Sequence, residues 1–428
     1  MTRSHLALPS LTRRGFLGTA AATTAVSSTA AARRPGGQEM LRVGLVGCGG
    51  RGTGAAVNAL RADENVQLTA MGDLFGDHID SRLEALLAIE DIAPKIAVTE
   101  DTKFTGWDAY QKVIDSCDVV LLATSPHFRP LHLAAAVEAG KHLFVEKPIA
   151  TDATGVRAVL ASCEKAKEKG LSVVSGLCYR YQHAKRATIE RIHDGAVGDV
   201  AAMQCTYNAS GLWLRTPPEG TTWTAMETQM RNWLYYTWLS GDHIAEQHIH
   251  SLDKLAWAMD GYPVKCVSSG GRIVRTGEEY GNVYDHFNTV FEWEGGVRGF
   301  SSCRQWNNAK TEVSDWIFGT RGRANIQRHR IESGPWDWRY DSEEPDDMYQ
   351  NEHDELFAAI RSGEPINNGE YMCNSTMMAI MGRLAAYTGK EVSWEEAWNS
   401  QEDFTLPRYD WDVVPEAPIA RPGVTEFV

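Results

Sequence analysis

The residues in this chain best suited to chemistry are three spaced glycines, an aspartate ending the next apolar run, and a row of acids and histidines at helical spacing. The glycines lie in Gly47-Cys48-Gly49-Gly50-Arg51-Gly52, after the apolar run 41–46 and before an alanine-rich stretch at 53–62. In a strand–turn–helix context Gly47 permits the tight turn, Gly49 lets backbone approach a pyrophosphate, and Gly52 allows close helix packing. The helix start at Gly50 and Arg51 adds unpaired N–H groups and partial positive charge for phosphates. Asp73 closes the next run at the spacing expected for an acid that binds a ribose 2′-hydroxyl. Leu74 and Phe75 follow it with no adjacent arginine for a 2′-phosphate, so the pattern favours NAD over NADP.

These residues need elements to hold them. From 41 to about 178 short β-branched runs (41–47, 66–72, 117–124, 141–146, 171–178) alternate with amphipathic stretches such as 131–139 and 153–169. Near-continuous apolar strands separated by helices predict a parallel, doubly wound α/β Rossmann sheet over 33–178. The third long run ends in Ala123-Thr124-Ser125-Pro126-His127, which places Thr124, Pro126 and His127 where ligands bind in such sheets. After Tyr179 the texture changes. Segments 199–208, 264–275, 286–293 and 297–303 alternate as antiparallel strands do, with Trp293-Glu294-Gly295-Gly296 as a hairpin turn and Gly319-Thr320-Arg321-Gly322 as another. Helices are expected at 183–193, 241–260, 350–362 and 371–388, giving an α+β second domain over 179–428.

On a helix over 241–260, Asp242, Glu246, His250, Asp253 and Trp257 share a stripe of about 80°. Ile244, Ala245, Ile249, Leu252 and Leu255 take the opposite arc, so the apolar face packs inward and the acid–histidine stripe lines a cleft. His243, Glu246 and His250 match no zinc spacing, and no metal is expected.

Net charge −14 excludes nucleic acid as a partner, since nothing here could neutralise a row of phosphates. The eight cysteines are scattered without CxxC pairs and are expected as mostly free, buried thiols. Thr12-Arg13-Arg14-Gly15-Phe16-Leu17, then a mild apolar run ending at Ala30-Ala31-Ala32, reads as a twin-arginine leader over 1–32. That run is too short and too weakly apolar to anchor in a bilayer. A periplasmic or otherwise extracytoplasmic location is therefore expected.

The fingerprint, Ala123-Thr124-Ser125-Pro126, Glu146-Lys147-Pro148 at the end of a further strand, and the second sheet together resemble the Gfo/Idh/MocA family of NAD(P)-dependent oxidoreductases. The similarity runs over essentially the whole mature chain. It implies that Glu146 and Lys147 lie beside a nicotinamide, Lys147 positioning the reacting oxygen. It implies a helix with an acid and a histidine four residues apart, here Glu246 and His250, with His250 taking a carbinol proton and Glu246 orienting it. Family members usually carry Asp where this chain has Glu246. The resemblance places Tyr179 and Arg180 near a carbohydrate substrate. Asp242, Arg231 with Trp233, Arg304 with Trp306, and Tyr284-Asp285-His286 have the polar-plus-aromatic makeup of a sugar pocket. It also implies a homo-oligomer formed through the open face of the second sheet.

Export adds a kinetic demand. At an on-rate near 10⁶ M⁻¹s⁻¹, a cofactor kept for many hours needs a dissociation constant of roughly ten picomolar, or a lid. The expected function is hydride transfer on a sugar, polyol or glycoside with a held cofactor. The alternatives are a redox-neutral NAD-dependent glycosidase and a non-catalytic sugar-binding protein.

Overall fold

The computed structural model describes residues 39–428 except 335 and 336. The leader expected at 1–32 lies outside the described residues.

Six parallel strands form the first sheet: β1 (Leu41–Val46), β2 (Val66–Asp73), β3 (Lys103–Thr105), β4 (Val119–Leu122), β5 (His142–Val145) and β6 (Val173–Ser175). Their order is β3-β2-β1-β4-β5-β6. Every residue of β4 is buried, as a strand covered by helices on both faces requires. The helices include Gly50–Ala62, Gly76–Leu87, Arg129–Glu138 and Ala153–Glu168. The order reverses between β1 and β4, so their carboxyl ends open a crevice.

The second sheet has nine strands: β7 (Val200–Ala209), β8 (Lys265–Gly271), β9 (His286–Glu292), β10 (Arg298–Gln305), β11 (Glu312–Gly319), β12 (Arg323–Asn325), β13 (Arg330–Glu332), β14 (Trp338–Arg339) and β15 (Val392–Ser393). The order is β14-β13-β12-β11-β7-β10-β9-β8-β15, antiparallel except for the β7/β10 pair. Alternation sorts its faces. Phe287, Phe291 and Cys303 point into the core, whereas Asn288, Arg298 and Phe300 point outward. The helices Ile249–Met259 and Gly369–Thr388 cover the inner face; the second is buried nearly all round. All eight cysteines are free and buried.

Two elements depart from expectation. The helix expected over 241–260 is broken into His243–Glu246 and Ile249–Met259. At the break, the N–H groups of Gln247 and His248 both donate to the His243 carbonyl at 3.0 Å, so the chain widens by a residue. His248 is turned into the sheet, where Nε2 meets Ser301 Oγ at 2.6 Å. The helix Met348–Ser362, expected within the second domain, instead packs on the first. Its Leu356, Phe357 and Ile360 share a core with Ala55, Ala59 and Leu60, and Gln350 bonds Asn58 at 3.0 Å.

Candidate active site

The glycine turn is shaped by what cannot fit there. Gly47 has φ +96°, and a Cβ on it would lie 2.6 Å from Ala123 and Thr124 backbone. A Cβ on Gly52 would lie 2.0 Å from the Gly47 carbonyl oxygen, whereas Gly49 and Gly50 face open space. That open concavity at a helix start is a cradle for a pyrophosphate, so the residues present fit a dinucleotide. A cavity of about 360 Å³ extends from it, walled by Gly47, Gly49, Gly50, Gly52, Asp73 and Thr124. The Asp73 carboxylate accepts the N–H groups of Cys48 (2.7 Å) and Phe75 (3.0 Å). His78 Nδ1 lies 3.3 Å from it.

Arg231 and Trp233, expected at the sugar, instead line this dinucleotide cavity. Pro126 and His127 do not line it. His127 is buried against Trp238, its Nε2 3.0 Å from Tyr409 Oη, and burial pulls its pKa down to about 4. His132 does line the cavity, stacked on Tyr110, and burial lowers its pKa to about 3. Arg51 borders the cavity, but its guanidinium is paired with Glu146 and Glu352 and lies 4.7 Å from the centre of the Tyr349 ring. Glu352 is fully buried and 301 residues from Arg51, a partnership no local pattern could reveal.

Beyond β5, Glu146 accepts the backbone N–H of Lys147 at 3.0 Å. A Cβ on Gly176 would lie 2.7 Å from the Glu146 carboxylate, so glycine is required beside it. Lys147 Nζ donates to the Glu246 carbonyl and, at 3.1 Å, to its carboxylate. His250 stands edge-on to Tyr179 at 5.1 Å, and its Nδ1 is buried without a hydrogen-bond partner. Burial, then the charges of Lys147, Lys254, Arg51 and Lys185, push the His250 pKa well below its ordinary value. The imidazole is therefore neutral at neutral pH.

This corrects the role expected for Glu246. It holds Lys147 and does not orient His250, because the helix break puts the two residues on different helices. Tyr179 is beside His250, its ring facing Lys185 and Lys254 at 4.4 Å each. Burial and then Lys254 lower the Lys185 pKa to about 7.

Three other expectations are not met. Asp242 is fully buried, bonded to His243, the Tyr284 N–H (2.7 Å) and Tyr387 Oη (2.6 Å), so nothing of it faces a cleft. Arg180 is spent on Asp253, at 2.8 Å from Nη2, and lies against the rings of Trp257 and Tyr371. Arg304 sits on the outward row of β10, bonded to the Lys310 carbonyl, while Trp306 Nε1 donates to Asp285. Among the described residues no group of three His, Cys, Asp or Glu forms a metal site. Nor is any of their helices long and apolar enough to cross a membrane.

Residues 41–175 match the oxidoreductase family with an NAD-binding Rossmann fold, and residues 186–325 match the GFO/IDH/MocA C-terminal domain. The chain belongs to this family. Its first domain is accordingly of the NAD-binding class. Inositol 2-dehydrogenase 3 of Saccharopolyspora erythraea is 26% identical over 279 residues, 64% of this chain and 70% of that protein. A glycosyl hydrolase family 109 protein of Streptomyces coelicolor is 29% identical over 217 residues, 45% of this chain and 44% of that protein. An uncharacterized oxidoreductase of Streptococcus pneumoniae is 25% identical over 246 residues, and the match spans only 58% of either chain. Among solved structures, an aldose–aldose oxidoreductase of Caulobacter crescentus superimposes with a TM-score of 0.65 at 19% identity, over 83% of this chain and all of that one.

Proposed function

We propose that this protein is an exported, NAD-dependent oxidoreductase acting on a CH–OH group of a sugar, polyol or glycoside, with its cofactor tightly held. The observation that carries the reading is the pairing of Lys147 with Glu246, its charge felt by a neutral His250, with the neighbouring Glu146 bonded to Arg51 at the border of a cavity shaped for a dinucleotide. Bound NAD supplies the hydride acceptor. The protein's own part is acid–base and electrostatic. His250, held neutral, can take the carbinol proton as a general base. Lys147 favours negative charge developing on the oxygen, and Glu246 fixes where its ammonium sits. The twin-arginine motif supports export. Outside the cell there is no nicotinamide pool, so the cofactor must be regenerated in place, by a second sugar or an external acceptor. Outward-facing Phe300 and Val267, each nearly half exposed, support a homo-oligomer built on the second sheet.

A second reading, oxidation and re-reduction of one substrate around an elimination step, is favoured by the family 109 relative and by two 2,7-anhydro-N-acetylneuraminate hydratases at 26% and 24% identity. It predicts release of free sugar from an aryl glycoside without added NAD. For either reading His250→Ala should bind NAD as the wild type does and lose turnover. Full activity in that variant removes His250 from the chemistry.

A further inference from the structure

The wall of the dinucleotide cavity opposite the glycine turn comes from two distant parts of the chain. One is the segment 213–233, which supplies Trp213, Arg215, Arg231 and Trp233; the other is the C-terminal tail, which supplies Tyr409. Both are tied to the first domain around the Asp73 end of the cavity. Arg231 reaches Asp77 at 3.1 and 3.3 Å and lies 3.9 Å over the ring of Phe75. Arg215 Nη1 is 3.1 Å from His78 Nε2, whose other ring nitrogen faces Asp73. Tyr409 Oη meets His127, and its ring stacks on Trp107 at 6.1 Å. Trp411 packs on Trp107 at 5.2 Å and Phe75 at 5.9 Å.

The tail is also pinned on both sides of this crossing. The Phe404 N–H donates to Asp152 at 2.9 Å, and Tyr284 Oη donates to the Ala420 carbonyl at 2.9 Å. It therefore runs as a strap from one domain, past the cavity, to the other. On the dinucleotide reading Asp73 meets the adenosine ribose, and the strap and the arginine segment then cover the adenosine half. Lys147 and His250 are not part of that wall.

We propose that Arg215, Arg231, Tyr409 and Trp411 form a clasp over the adenosine half of the dinucleotide, so that the cofactor leaves only when the strap and the 213–233 segment lift. This rests on the dinucleotide reading above and gives it a physical means of retention. The exposed ion pairs fix the orientation of the clasp, and the Trp107, Tyr409 and Trp411 rings supply most of its hold. A clasp that slows release suits an enzyme that must reuse one cofactor molecule.

The test is release of NADH from the full-length protein, followed by loss of its bound fluorescence during a chase with excess NAD⁺. Trp411→Ala should release NADH about tenfold faster than wild type, the worth of its two ring contacts with Trp107 and Phe75. Asp77→Ala loosens the same clasp from the other side. Its carboxylate is 62% exposed, so it keeps the test open if the tryptophan variant fails to fold. Its release should be about twofold to threefold faster. Reduced nicotinamide mononucleotide, which lacks the adenosine half, should bind all three proteins equally. Unchanged NADH release in a folded variant, or equal loss of the mononucleotide, overturns the clasp. Failure of the wild type to bind NADH at all would strike the dinucleotide reading instead.

Discussion

Replacing Lys254 with Met would leave the Asp315 carboxylate alone inside the second domain. Both side chains of this pair are fully buried, and the ammonium's other partner is Gln327 Oε1 at 2.9 Å. Asp315 Oδ1 has no hydrogen-bond partner, so without Lys254 the carboxylate keeps only the more distant charge of Lys185. Removing one member of such a pair costs about 3–5 kcal/mol, because the survivor is desolvated and unpaired. Replacing both, as Lys254→Met with Asp315→Leu, should recover most of that loss. Urea unfolding measures each step, with the slope checked for constancy. The same change reaches the active site. Lys254 is among the cations that, with burial, hold the His250 pKa down. Without it the His250 pKa rises toward its ordinary value, and the neutral form is lost at a higher pH than in wild type. Titration of the His250 ring proton by NMR reads this shift directly. A single-variant cost under about 1 kcal/mol, additive with the Asp315 change, would refute the buried-pair argument. An unmoved His250 titration would refute its electrostatic link to the site.

Stability should fall on mild acidification. Burial holds His127 and His142 at about 4 and His132, His248 and His353 at about 3, so between pH 6.5 and these values the unfolded chain binds more protons than the folded one. From pH 7 to 5.5 each of these histidines should cost about 1 kcal/mol, and an unchanged urea midpoint over that range would contradict this. Asp285 behaves oppositely. Burial raises its pKa, but the Arg275 and Val274 N–H groups and His286 hold it down to about 2. Its contribution of about 2 kcal/mol is present above pH 3.8 and vanishes as pH falls through 2, so Asp285→Asn should destabilise at pH 7 and match wild type near pH 2. Gly52→Ala puts a Cβ 2.0 Å from the Gly47 carbonyl oxygen and should weaken NADH binding more than about a hundredfold by fluorescence titration.

What was legible in the sequence was local. The strand before Gly47, the helix after it and Asp73 at the next strand end follow from a period of two residues, glycine steric freedom and chain distance, and they stand together around one cavity. Gly319-Thr320-Arg321-Gly322 turns where its glycines lie, with the Gly319 N–H on the Gly322 carbonyl at 2.8 Å. What was not legible depends on partners far along the chain. Helical spacing put Asp242, Glu246 and His250 on one stripe, yet the helix breaks at Gln247 and His248, whose ring meets Ser301 in the sheet, and their roles separate. Arg180 and Asp253 both looked free for substrate, and each neutralises the other. The neighbours of Asp73 in sequence include no arginine, but the fold brings Arg215 and Arg231 to the same cavity from more than 140 residues away. Glu352, locked to Arg51 from 301 residues along the chain, belongs to the same class.

The most direct test of the whole account is a crystal structure of the protein with NAD bound. The pyrophosphate should lie over Gly49, the adenosine under Arg215 and Tyr409, and the nicotinamide ring should reach Lys147 and His250. A dinucleotide bound with its nicotinamide turned away from Lys147 and His250, or no dinucleotide in the cavity at all, would contradict it.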